Sequence, residues 1–177
     1  MTTQQLMSDR LRLVPVTVET CIAELEKSPK LSALLDADIP GCWPPPLVTE
    51  ETLHQFISML QADEVRLCSW YWIQTSRILN GRDILIGGGG LFTNDDNSCE
   101  LGYSVLTDFQ NHGYATEAVK AILTYAFSVR DVEQIYAHTY PHLVPSVRVL
   151  QKSGFLFNGP GKEEGTIQFL ITRKTAD

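Results

Sequence analysis

The chain has 177 residues, 44% of them hydrophobic and 20% charged, which allows one domain with its own core and is too short for two ordinary enzyme domains. A formal net charge of −7 argues against a nucleic-acid backbone as partner, because neutralising phosphates requires clustered lysine and arginine, and it fits a cationic acceptor better. No apolar run approaches the roughly 20 residues of a membrane helix, and the start Met1-Thr2-Thr3-Gln4-Gln5 lacks the basic and apolar segments of a signal peptide; a cytoplasmic protein with no membrane partner is the expectation.

Arg10 to Val16 alternates apolar and polar side chains and predicts a first strand that ends near Pro15. Thr17 is a plausible cap for a helix through Glu26. Gly41-Cys42-Trp43-Pro44-Pro45-Pro46 is a stiff loop, because its prolines fix φ and remove backbone donors. Leu53, Phe56, Ile57 and Leu60 then share one face of a helix over Glu50 to Leu60. Ser69 to Ser76 and Ile84 to Phe92 read as strands joined by a turn at Asn80-Gly81-Arg82-Asp83.

A fourth main strand spans Cys99 to Leu106, with Cys99, Leu101, Tyr103 and Val105 on one face and Glu100, Gly102 and Ser104 on the other. Ala115, Val119, Ile122, Leu123 and Ala126 recur at helical spacing through about Val129. Gln134 to Thr139 is a strand, and Pro145 to Ser153 is a short helix, with proline in its first turn and Gly154 as its stop. Phe155 to Phe157 and Thr166 to Thr172 complete the pattern. The whole predicts a mixed α/β (α+β) fold, one sheet with helices packed on it, as a single unit over residues 1 to 177 with its core at about 10 to 173. Cys21, Cys42, Cys68 and Cys99 are widely spaced and form no CxxC pair, so neither a disulfide framework nor a metal site is expected.

The segment that carries most chemical information is Gln110-Asn111-His112-Gly113-Tyr114-Ala115-Thr116. A glycine turn between a strand and a helix presents unpaired backbone N–H groups and the positive end of the helix dipole, an arrangement suited to a phosphate or pyrophosphate. It can equally be a plain connection. Gly87-Gly88-Gly89-Gly90 is a poorer phosphate cradle, since no Lys-Ser/Thr follows it and it lies inside a strand pattern. It reads as a thinly clothed strand lying against another backbone or a ligand.

The runs Glu100-Leu101-Gly102-Tyr103-Ser104-Val105, Phe109-Gln110-Asn111-His112-Gly113-Tyr114-Ala115-Thr116-Glu117-Ala118 and Ser146-Val147-Arg148-Val149-Leu150-Gln151-Lys152-Ser153-Gly154-Phe155, in that order, resemble the GNAT superfamily. More narrowly, they resemble its branch containing the RimJ and RimL ribosomal-protein N-terminal acetyltransferases. The resemblance implies a mostly antiparallel twisted sheet of six or seven strands, splayed between strands four and five, with about four helices. It implies acetyl-coenzyme A as co-substrate, without a metal, and a primary amine as acceptor, either a protein N-terminus or a small molecule. Monomers and homodimers both fit.

By the same resemblance, the backbone from Gln110 to Thr116 would grip the coenzyme pyrophosphate, and Tyr103, Ser104, Val105 and Leu106 would pair with the pantetheine arm. Glu100 would act as base, and Ser146 would sit by the coenzyme sulfur and protonate the departing thiolate. Trp43 is the expected acceptor-side residue, with Trp70 and Trp72 as further possible walls. The sequence departs from the family at two points. Leu150 stands where many members have a tyrosine acid, and Leu143, beside His142, stands where an asparagine is frequent. These departures motivate an alternative, a non-catalytic acyl-coenzyme A sensor of the same fold. His138 and His142 flank the coenzyme end of the neighbouring strand.

Overall fold

In a computed structural model of the chain, residues 3–45, 48–62, 67–75, 81–93, 98–129 and 132–173 are described. Eight strands form one sheet: β1 (Leu6–Met7), β2 (Leu11–Pro15), β3 (Leu67–Gln74), β4 (Ile84–Thr93), β5 (Cys99–Val105), β6 (Gln134–Thr139), β7 (Leu156–Pro160) and β8 (Ile167–Thr172). Their spatial order is β1-β2-β3-β4-β5-β6-β8-β7, and every neighbouring pair is antiparallel except β5 and β6. The helices are α1 (Val18–Leu25), α2 (Lys30–Leu35), α3 (Glu50–Gln61), α4 (Tyr114–Val129) and α5 (Val144–Lys152).

Local chemistry sets the helix ends. Thr17 caps α1 through a reciprocal pair with Thr20, and Thr49 caps α3 by accepting from the Thr52 N–H. Pro145 lies in the first turn of α5, and Gly154, at φ +94°, follows its end in the left-handed conformation. The sheet buries both faces. On one, α4 lays Ala118, Val119, Ile122 and Ala126 against Leu11, Leu13, Trp70, Trp72, Leu101 and Val105. On the other, α1, α2 and α3 bring Cys21, Leu31, Leu35 and Leu53 onto Tyr71, Ile73 and Leu85.

Two elements exceed the expectation. Strand β1 is two residues long and α2 six, too short for either to show a periodicity, and each forms because its neighbours supply pairing or a buried face. The expected Asn80-Gly81 turn falls partly outside the described residues. Among the described residues none of the four cysteines is in a disulfide.

Candidate active site

Strands β5 and β6 run parallel but pair at one position, Glu100 opposite Tyr136. From there they diverge toward their C-terminal ends. The edge of β5 from Leu101 to Val105 that faces away from β4 therefore lies open, and an open strand edge is a row of donors and acceptors available to an extended ligand. The faces of β5 match the alternation: Leu101 and Val105 join the core beneath α4, whereas Gly102 and Ser104 line a cavity on the opposite side.

At the end of that open edge, a 3-10 turn over 107–109 leads into the start of α4. Asn111 at φ +62° and Gly113 at φ +83° both adopt the left-handed conformation. The first helical bond runs from the Glu117 N–H to the Gly113 carbonyl, so the N–H groups of Tyr114, Ala115 and Thr116 precede the ladder. The turn is braced from behind. Arg10 donates to the His112 carbonyl at 3.0 Å, pairs with Glu117 at 2.7 Å, and lies 4.5 Å from the centre of the Tyr114 ring. Burial opposes ionisation of Glu117, but the hydrogen bonds from Ser8 and Arg10 and the Arg10 charge outweigh it and hold this carboxyl below its ordinary range. Gln110 folds back so that its amide donates to the Val105 carbonyl at 2.9 Å, and His112 stacks on Tyr114.

Glu100 lies at the vertex of the splay. Its carboxylate accepts from Lys162, on the loop between β7 and β8, at 2.5 Å, and stands 3.6 Å from His138 Nδ1 of β6. Across the open end, the Tyr103 hydroxyl lies 3.2 Å from Ser146 Oγ and 3.3 Å from the Ser146 carbonyl, joining β5 to the start of α5. Burial pushes the Tyr103 phenol up to about 12, against a smaller downward pull from the Ser146 hydrogen bond. Ser146 makes no helix cap, for α5 begins without a side-chain cap. His138 thus joins the cluster, while His142 is exposed and stacks on Tyr140.

On the face opposite α4, a cavity of about 320 Å³ lies between α1, α3 and strands β3 to β5. Trp43, Phe56, Met59, Phe92 and Tyr71 form its apolar walls, and Gly88, Gly90, Gly102 and Ser104 lie along its floor. A Cβ at Gly90 would collide with the Cys68 carbonyl, so the glycine run is a closely approached strand. Trp43 stands at a wall of this cavity. Trp70 is also among the lining residues, although it is fully buried with its ring edge-on to Tyr125 of α4; Trp72 is fully buried, stacks on Tyr103 and is not among them. Glu24 of α1 completes the cavity, a carboxylate that the motif reading passed over because it sits in an ordinary amphipathic helix. Among the described residues no cluster of His, Cys, Asp or Glu could hold a metal ion.

Residues 10–156 match the family described as the acetyltransferase (GNAT) domain. The chain is 30% identical over 125 residues to the uncharacterized N-acetyltransferase YnaD of Bacillus subtilis, covering 70% of this chain and 69% of that one. Among solved structures, the ribosomal-protein-S5-alanine acetyltransferase of Vibrio fischeri superposes with a TM-score of 0.67 at 14% identity, covering 98% of this chain and 99% of the other. The RimL ribosomal-protein α-N-acetyltransferase in complex with coenzyme A gives a TM-score of 0.67 at 16% identity, covering 98% and 100%. At these identities the two structures share the fold with this chain.

Proposed function

This chain belongs to the GNAT acetyltransferase family and is an acyltransferase; we propose that it moves an acetyl group from acetyl-coenzyme A to a primary amine through the open edge of β5. The observation that carries the reading is the divergence of β5 from β6 after Glu100, directly beside the N-terminal turn of α4. The residues present fit the donor. The N–H groups of Tyr114, Ala115 and Thr116, with the helix dipole, suit the pyrophosphate of coenzyme A, and Gly113 leaves room for its close approach. The edge from Tyr103 to Val105, with Gln110 on the Val105 carbonyl, suits the pantetheine amides, whereas Leu106 is turned inward, its N–H donating to the Ile86 carbonyl and its carbonyl accepting from Phe109. That RimL is known in complex with coenzyme A supports the same donor here.

When bound, acetyl-coenzyme A supplies an activated thioester whose acetyl carbon takes the amine nitrogen as its sulfur leaves. The chain's own groups orient and neutralise. Backbone N–H groups of the splayed strand stabilise charge on the carbonyl oxygen. Glu100 receives a proton from the acceptor ammonium, which must be neutral to attack; its reference pKa is about 8 for an α-amine and about 10.4 for a lysine-type amine. Ser146, oriented by Tyr103, hydrogen-bonds the departing sulfur, whose reference pKa of about 8.5 makes it an easy leaving group.

Isothermal titration with coenzyme A, followed by free-thiol release from acetyl-coenzyme A over peptide N-termini and small amines, tests the proposal. Binding and turnover on at least one amine are expected. No binding at high micromolar coenzyme A would overturn it.

A further inference from the structure

The cavity beside β5 contains a carboxyl group to which the protein brings only neutral donors. Glu24 is 8% exposed, and its two oxygens accept from Trp43 Nε1 at 2.8 Å and from the Tyr71 hydroxyl at 2.7 Å. Both donors are neutral, and among the described residues no lysine, arginine or histidine pairs with it. Burial raises this carboxyl above its ordinary value despite the two hydrogen bonds. A buried carboxylate without a cation, lining a cavity, is a receptor for one. Its lone pairs exceed the two donors supplied, and the rings of Trp43 and Tyr71, 6.1 Å apart, add aromatic faces suited to an ammonium.

The sheet register fixes where that receptor stands relative to the donor edge. Tyr71, Gly88 and Ser104 lie in one row across β3, β4 and β5. Successive strands are ~4.8 Å apart, so the row spans roughly 10 Å from the strand whose side chain holds Glu24 to the strand that offers the acyl group. Between the two ends the walls are Phe56, Met59 and Phe92, with no second charge among the cavity's residues. The cavity's about 320 Å³ is at the small end for a ligand site, of order 300 to 1,000 Å³.

We propose that this cavity is the acceptor pocket and that its acceptor is a compact diamine, held as an ammonium at one end by Glu24 while its other amine is presented to β5. The inference rests on the acetyltransferase reading and names its substrate class. Two nitrogens are required because the group held by Glu24 must carry charge, whereas the group that attacks must be neutral. At the reacting end the nitrogen–carbon bond forms as the carbon–sulfur bond breaks. The sulfur leaves with the electron pair, and the nitrogen's proton passes to Glu100 or water. The Glu24 end keeps its proton and charge throughout.

The test is calorimetric titration of hexamethylenediamine and of hexylamine into the full-length protein, with and without coenzyme A, for the wild type, Glu24→Gln and Met59→Trp. The wild type binds the diamine at least about 10-fold more tightly than the monoamine, as a charge-assisted contact requires. Glu24→Gln brings the two ligands to within about 2-fold of each other while coenzyme A affinity stays unchanged. Met59→Trp narrows the cavity without touching the carboxylate and weakens diamine binding. Equal affinities in the wild type, no diamine binding at millimolar concentration, a diamine preference that survives Glu24→Gln, or a peptide N-terminus that binds as tightly as the diamine would each overturn the inference. Absence of coenzyme A binding would overturn the acetyltransferase reading separately, since the amine titration without coenzyme stands by itself.

Discussion

Glu100 and Glu24 are both shielded from solvent, and their neighbours give them different work. Glu100 is met by Lys162 and by His138 at the splay, where a proton can be passed outward. Replacing it with glutamine removes the proposed base, and general-base catalysis is worth about 100-fold or more. The loss is greatest at lower pH, where the acceptor amine is hardest to deprotonate. A pH–rate profile of Glu100→Gln parallel to that of the wild type would exclude this role. Glu24 meets only neutral donors, and burial raises its carboxyl. Its protonation therefore favours the folded state; that contribution is complete below the unfolded value near 4.3 and is lost as pH rises through the native value. Glu24→Gln removes this dependence, so in urea unfolding the variant gains on the wild type as pH rises above the unfolded value near 4.3. An unchanged gap between the two proteins would contradict the burial argument. Glu100 and Ser146 stood out in the sequence as candidates because each belongs to an ordered motif. Glu24 was not, because its environment comes from Tyr71, 47 residues away, and from the Trp43 loop.

At the scale of elements, the turn before α4 is where backbone geometry matters most. Gly113 sits at φ +83°, and a Cβ there would stand 3.4 Å from Arg10 Nη2. Gly113→Val forces a β-branched residue into the left-handed region, a strain of order 1 to 3 kcal/mol, and obstructs the approach of a phosphate. A coenzyme A affinity at least about 10-fold weaker is expected by calorimetry; an unchanged affinity would remove this turn from the proposed site. The sequence located α4, its glycine turn and β5, because long periodic segments and glycine punctuation are local signals. It passed over α2 and β1, whose few residues acquire structure only by packing on α1 and pairing with β2.

Over the whole molecule, the sheet carries the proposed donor and acceptor sides on one strand. The edge of β5 faces the splay, and its Gly102 and Ser104 face the cavity. We propose that the chain unfolds as one cooperative unit, since eight strands form a continuous sheet with core on both faces. Coenzyme A at about 100 times its dissociation constant should then add ~2.7 kcal/mol of stability and raise the melting temperature by roughly 5 to 10 °C. Two separate transitions, or one unmoved by the coenzyme, would contradict this. Among the described residues no helix is long and apolar enough to cross a membrane. By itself the sequence determined the strand and helix periods, the glycine turn and the ordered motifs, because these depend on residues close along the chain. Only the tertiary structure decided which carboxylates are buried, that Tyr103 meets Ser146, and that a glycine-floored cavity adjoins β5, because those contacts join residues brought together by sheet order and register.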